Sequence, residues 1–310
     1  MKILIELPSW LGDAVMATPT IEALTHLYPD ASLTLVGSYL STEALKSHPK
    51  VVASYVIDKR FLALRRVAKE LDSFDMAISF RSSFRSALFL FFIKSQKKYL
   101  FPRSYEDMHQ VEKYAFFLQE SLGEKISPQG LKLYNKPHNY PKPTLGINPG
   151  ATYGSAKRWY PEEFAKVAIA LADRYDIVIF GGPGEEEIAE DIERMIDEAE
   201  SANITHLVTN LAGKLTIPEL ISHIAGLSWL VTNDSGPMHV AAAYQIPTVA
   251  LFGPTRYRET NQWQNPQGHL IRKEMECSPC MKRTCPLQHH NCMKEIKAQE
   301  VITLIEKAER

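Results

Sequence analysis

Apolar and polar positions along this 310-residue chain switch repeatedly between two periods. Residues 2–7 form a short apolar run that suits a buried strand, and residues 14–27 then shift to helical spacing through Ala14, Val15, Ile21, Leu24 and Leu27. Residues 32–36, 53–57 and 76–80 read as further strands, and 61–71 and 85–93 as helices between or after them. The pattern breaks at 135–144, where Pro137, Pro141 and Pro143 interrupt any regular apolar period, as a linker does. It then restarts: strands at 145–148, 177–180, 229–232 and 248–252, and helices at 161–172, 185–199 and 238–244. Strands and helices in alternation predict an α/β protein with parallel sheets covered on both faces. The break predicts two domains, 1–140 and 141–310. A final helical stretch, 295–309, can pack on either.

Composition keeps this picture and narrows it. Hydrophobic residues make up 45% and charged residues 23%, the balance of a packed globular chain. A formal net charge of -1 excludes a polycation built for nucleic acid. The small charge imbalance is uneven, slightly positive in the first domain and slightly negative in the second. The longest apolar run, 87–93, is seven residues, against about 20 needed to cross a bilayer. Only three consecutive apolar residues precede Glu6, too few for the core of a signal peptide, so a cytoplasmic protein is expected. Eleven of the 15 glycines follow the linker, concentrating in the second domain the tight turns that let backbone approach a ligand. A nucleotide is therefore expected there.

Three segments at strand ends are candidates for chemistry. The first is Thr232-Asn233-Asp234-Ser235-Gly236-Pro237-Met238-His239, a strand running straight into a helix with Pro237 near its first position. Unpaired first-turn N–H groups, the helix dipole and the Ser235 hydroxyl suit a diphosphate; an ordinary helix cap fits the same pattern. The second, residues 148–161, holds Gly150, Thr152, Gly154, Ser155, Lys157 and Arg158, either a cradle for phosphate oxygens or a solvated loop. It lacks the Gly-Lys-Ser/Thr of a Walker loop. The third, Pro8-Ser9-Trp10-Leu11-Gly12-Asp13, lies at the carboxyl edge of the first predicted strand, where Asp13 is placed to act as a general base or merely to start a helix.

Cys277, Cys280, Cys285 and Cys292 form C-x2-C-x4-C-x6-C, with His289 and His290 nearby. This clustering suits a structural zinc or iron, and equally reduced or paired thiols, since the spacing matches none of the commonest zinc patterns. No Asp-x-Asp occurs, so the usual carboxylate pair for a metal-bridged nucleotide diphosphate is missing. Charge on a departing diphosphate then falls to lysine, hydroxyls and backbone N–H groups.

With these residues in view, the chain resembles the ADP-heptose:lipopolysaccharide heptosyltransferases, glycosyltransferase family 9. The matching pieces are Pro8-Ser9-Trp10-Leu11-Gly12-Asp13, Ser82-Ser83-Phe84-Arg85-Ser86-Ala87, Pro149-Gly150-Ala151 with Ala156-Lys157-Arg158-Trp159, and the segment 232–239, in family order over nearly the whole chain. The resemblance implies a GT-B architecture of two Rossmann-like domains facing across a cleft. It implies inverting transfer, with no catalytic cofactor, of L-glycero-D-manno-heptose from ADP-heptose to a heptose already on the lipopolysaccharide or lipooligosaccharide inner core. Carried over, Asp13 is the base and Lys157 stabilises the leaving diphosphate. Thr152, Ser155, Asp234, Ser235, Gly236 and His239 hold the donor, with Glu187 on its ribose; Trp10, Gly12, Ser83 and Arg85 face the acceptor. Two positions depart from the family pattern: Pro237 stands where leucine is commoner, and Ser82 where asparagine is frequent. The cysteine cluster belongs to only part of the family.

A basic first domain fits an acceptor bearing carboxylates and phosphates at the inner membrane surface, with Arg60, Arg65, Arg66, Arg81, Arg85, Lys94, Lys97, Lys98 and Arg103 as candidate contacts; an ordinary solvated surface fits as well. Two other readings stay open: a sugar-nucleotide epimerase of the same architecture, and a non-enzymatic, metal-stabilised nucleotide-binding protein.

Overall fold

A computed structural model describes residues 1–57, 61–102, 108–200 and 207–310. Arg60 and Arg103 lie outside the described residues. The chain divides into two compact units, Met1–Asn135 and Lys136–Arg310.

The first unit is built on five parallel strands, β1 (Lys2–Glu6), β2 (Ser32–Gly37), β3 (Val51–Val56), β4 (Phe74–Ser79) and β5 (Ser95–Leu100), in the order β3-β2-β1-β4-β5. The central strand β1 is apolar because it is buried on both faces: Ile3, Leu4 and Ile5 are fully enclosed. The helical stretch expected over 14–27 is two helices, Leu11–Met16 and Thr18–Leu27. Pro19 has no N–H to offer the Val15 carbonyl, which the Thr18 hydroxyl takes instead at 2.7 Å. Strand β5 carries Lys97 and Lys98, both exposed; charges on an edge strand also deter pairing with other chains.

Six parallel strands form the second unit: β6 (Thr144–Asn148), β7 (Asp176–Ile179), β8 (Val208–Asn210), β9 (Trp229–Asn233), β10 (Thr248–Phe252) and β11 (Gly268–Arg272), ordered β11-β10-β9-β6-β7-β8. Its core gathers Trp159, Phe164, Val167, Ile177, Val231 and Leu251. The C-terminal helix Ala298–Ala308 belongs to this core through Val301, Ile302 and Ile305 and packs on the helix Pro161–Leu171. Of the two placements open from the sequence, it takes the one within its own unit. Glu163 accepts from the Ala298 N–H at 2.7 Å and starts that helix.

Each sheet starts at a central strand, winds outward one way, then returns to the other side. The order in which strands are added reverses between β1 and β4 in the first unit and between β6 and β9 in the second, although all strands run parallel. In open parallel sheets ligands bind outside the carboxyl ends of the strands at such switch points. All four motif segments of the sequence follow the strands flanking these two points.

Candidate active site

In the first unit, β1 ends in Glu6, whose side chain is buried. Its carboxylate accepts from the Ser79 hydroxyl at 2.6 Å and the Ser86 hydroxyl at 3.1 Å, and Arg81 Nη1 lies 3.7 Å away. Burial pushes the Glu6 carboxyl up; the Ser79 and Ser86 hydrogen bonds and the charges of Arg81 and Arg85 oppose this. Past β4, Ser83 caps the helix Phe84–Phe92 by accepting from the Ser86 N–H at 3.1 Å, an arrangement that stabilises a helix by about 1 kcal/mol. Ser82, Ser83 and Arg85 are half-buried, and Phe84 is 73% exposed.

After β1, Trp10 sits at the N-cap of the helix Leu11–Met16 with 45% of its surface open, Gly12 is buried, and Asp13 is half-buried in the first turn. Burial pushes the phenol of Tyr114 far above its usual range, and the charge of Asp13 adds to that shift. Tyr114 is therefore a neutral hydroxyl beside Asp13. The structure thus places Trp10, Gly12 and Asp13 after β1, and Ser83 and Arg85 after β4, on the two strands that flank one switch point.

In the second unit, β6 ends in the buried Asn148. Its amide donates to Thr232 Oγ1 and Ser235 Oγ, both at 3.2 Å, tying the carboxyl ends of β6 and β9 together. Asn233 ties them again: its Nδ2 donates to the Pro149 carbonyl at 2.7 Å, and its Oδ1 accepts from the Trp159 N–H at 3.0 Å. Lys157 lies between these ties. Its ammonium is 2.6 Å from Asp234 Oδ2, donates to the Asp234 carbonyl at 3.1 Å, and stands 4.9 Å over the Tyr153 ring. The same Asp234 Oδ2 accepts from the Thr255 hydroxyl at 2.6 Å. The ion pair is largely shielded from water, so each charge depends on the other for compensation.

Ser235 is the N-cap of the helix Gly236–Ala243, and its hydroxyl is engaged with Asn148 rather than capping. Gly236 is half-buried and His239 buried. Thr152 and Ser155 are exposed on the loop after β6, where Ser155–Lys157 form one 3-10 turn. Glu187 is exposed in the first turn of the helix Glu186–Glu200, whereas Glu185, just before it, is buried and accepts from the Gly182 N–H at 2.8 Å. A Cβ at Gly150 would collide with the Glu185 carboxylate, so the loop after β6 and this carboxylate are neighbours.

Sequence reasoning missed Glu6, Glu185 and Thr255, and gave no role to Asn148 and Asn233, which lie within its candidate segments. The signal available for Glu185 was the Gly181-Gly182-Pro183-Gly184 turn immediately before it.

The cysteine-rich segment backs onto the same loop. Ala156 N–H donates to the Arg283 carbonyl at 3.0 Å, the Tyr153 hydroxyl to the Met281 carbonyl at 2.8 Å, and His290 Nε2 lies 2.9 Å from the Ala156 carbonyl. A side chain at Gly154 would strike the Arg283 backbone. All four cysteines are free thiols, and among the described residues no group of three or more His, Cys, Asp or Glu is arranged to hold a metal ion. Of the readings open from the spacing of Cys277, Cys280, Cys285 and Cys292, the structure sets aside disulfide pairing. Cys292 is buried, and burial together with the charges of the other three cysteines pushes its thiol up to about 11.

The profile of "Glycosyltransferase family 9 (heptosyltransferase)" matches residues 64–291. The chain belongs to this family. It is 42% identical to lipooligosaccharide heptosyltransferase 2 of Campylobacter jejuni, over 97% of this chain and 96% of that one. The solved structure of the ADP-heptose lipopolysaccharide heptosyltransferase II of Escherichia coli superposes with a TM-score of 0.79 at 24% identity, covering 99% of this chain and 98% of the other. TibC of enterotoxigenic Escherichia coli, an iron-containing dodecameric glycosyltransferase, is more distant, with a TM-score of 0.63 at 17% identity over 99% of this chain and 76% of that one. The protein is thus a glycosyltransferase of GT-B fold, with two Rossmann-like parallel-sheet domains. Family membership sets aside the epimerase and the non-enzymatic readings.

Proposed function

We propose that this family 9 glycosyltransferase moves L-glycero-D-manno-heptose from ADP-heptose, with inversion, onto the first heptose of the lipopolysaccharide or lipooligosaccharide inner core. The observation that carries the reading is the Lys157–Asp234 pair at the carboxyl edge of β6 and β9, beside the start of the helix Gly236–Ala243. A shielded cation next to unpaired helix N–H groups is suited to the charge that develops on a departing diphosphate. The relatives compared above, whose names specify heptosyl transfer, support the same donor and acceptor.

In this reading Asp13 accepts the proton of the acceptor hydroxyl as its oxygen bonds to the anomeric carbon of the donor. The bond from that carbon to the diphosphate oxygen breaks, and ADP leaves with the electron pair. Lys157 exchanges its contact with Asp234 for the diphosphate, while Thr255 keeps the Asp234 carboxylate placed through its own hydrogen bond. Ser235, Gly236 and His239 line the donor side with Thr152 and Ser155 on the loop, and Glu187 or the neighbouring Glu185 meets the ribose. Trp10, Gly12, Ser83 and Arg85 face the acceptor. No step is routed through the cysteine segment.

Among the described residues no helix is long and apolar enough to cross a membrane. Peripheral contact with the inner membrane surface from the cytoplasmic side is part of the proposal. It is supported by exposed Lys94, Lys97 and Lys98, the last donating to the Phe91 carbonyl at 3.3 Å, and by the exposed Phe84 and Phe91 rings.

The test is mass spectrometry of the products formed from ADP-heptose and core acceptors truncated at successive sugars. One heptose added only when the acceptor already carries a first heptose is the expected result. Donor converted without any acceptor, or transfer to an acceptor lacking heptose, overturns the assignment.

A further inference from the structure

Glu6 is a buried carboxylate at the carboxyl end of the central strand β1, and none of the transfer chemistry above employs it. A charge in that position is unfavourable unless it is compensated, and what compensates it is specific. Ser79, its register partner on β4, donates to one carboxylate oxygen; Ser86, in the first turn of the helix Phe84–Phe92, donates to the other. Arg81 approaches the second oxygen at 3.7 Å, and the charge of Arg85 also reaches the group. Ser79 additionally accepts from the Arg81 N–H at 3.2 Å, and Ser86 Oγ lies 2.9 Å from Ser83 Oγ. One carboxylate therefore fixes both ends of the turn 79–86, which contains the acceptor-side Ser83 and Arg85. The Arg81 side chain remains 25% exposed.

We propose that Glu6 is a positioning residue that holds Arg81 and the turn 79–86 as a seat for a negatively charged group on the acceptor saccharide. This rests on the acceptor reading above and extends it to a residue and a ligand chemistry. Glu6 contributes nothing by contact with the acceptor. It orients a guanidinium whose remaining N–H donors match the oxygens of a carboxylate or a phosphate. The two anions share this recognition, and acceptors that differ in them separate the sources.

The experiment measures steady-state kinetics of Glu6→Gln, Arg81→Gln and the double variant, with donor and acceptor varied independently. Wild-type turnover is recorded first: absence of heptose transfer by the wild type would defeat the functional reading itself, not this proposal. Glu6→Gln keeps an oxygen for the serine hydroxyls but removes the charge that aligns Arg81. The expected result is an acceptor KM raised about 10-fold with donor KM and kcat within about 2-fold, the scale of losing one charge-assisted contact. Arg81→Gln should show the same acceptor-specific defect, and the double variant should be no worse than Arg81→Gln.

Removing phosphate from the acceptor should erase the difference between wild type and variant if phosphate is the ligand. Reducing the acceptor carboxylates should erase it if carboxylate is. A defect that persists unchanged on an acceptor lacking both anions, or a donor KM that rises in parallel, overturns the proposal. If Glu6→Gln fails to fold, Arg81→Gln alone decides: an unchanged acceptor KM there is equally fatal.

Discussion

At the carboxyl end of β1 the buried polar group is a carboxylate, Glu6, held by two serine hydroxyls with an arginine beside it. At the equivalent end of β6 it is an amide, Asn148, reaching a threonine and a serine, and the buried charge is displaced one strand over to Asp234, where it grips Lys157. The two sheets share one winding scheme, so the scaffold does not explain this difference. A switch point provides converging strand ends and open backbone; the side chains placed there decide which chemistry it performs. A carboxylate braced among serines and arginines organises a rigid anion seat. An amide network around a lysine and an aspartate holds a cation that another anion can recruit.

The sharpest way to break this comparison is to remove the reactive group of each edge separately. Asp13→Ala should lower kcat by about 10³-fold, the middle of the range for a general base, while affinity for ADP-heptose in calorimetry changes less than about 2-fold. Full turnover by this variant would take the base assignment from the first edge.

Lys157→Ala should lower kcat/KM by about 10²-fold or more and weaken donor binding as well. It also strands the Asp234 carboxylate in a shielded site, and should therefore destabilise the protein by about 3 kcal/mol in denaturant unfolding. Loss of activity without any loss of stability would show that Asp234 does not depend on its partner.

A smaller effect separates the units by acid. Burial pushes the carboxyl of Glu22 up, but hydrogen bonds from His48 and Tyr134 and the charges of His48 and Lys132 outweigh it and bring it to about 2. Because its folded value lies below that of the unfolded chain, the stabilisation is fully present above about pH 4.5 and is lost as pH falls toward 2. Glu22→Gln should flatten the pH dependence of unfolding across this window without altering turnover at neutral pH. An unchanged acid profile would contradict the role of this cluster in the first unit.

The interior strands were legible because burial on both faces writes itself as an unbroken apolar run, as in Ile3-Leu4-Ile5 and Val249-Ala250-Leu251. The strands missed were β5, β8 and β11, all at sheet edges. There one side of the ladder is open and polar residues are tolerated, so Ser95-Gln96-Lys97-Lys98 carries no period. The motif segments were legible because glycine, proline and hydroxyl residues cluster where a strand turns into a helix. Glu6 was not, since its partners lie 73 and 80 residues away and a carboxylate after three apolar residues looks like the mere end of a strand.

The Trp159 indole donates to the Ile296 carbonyl at 3.0 Å and is enclosed with Val301 and Ile305. The residues that seat the lysine loop are thus made more than 130 positions after it. During synthesis at about 5–20 residues per second, the first unit can assemble while the ribosome is still translating. The donor-side loop must wait, about 7 to 27 seconds behind its own appearance, for a late stretch of chain to lock it.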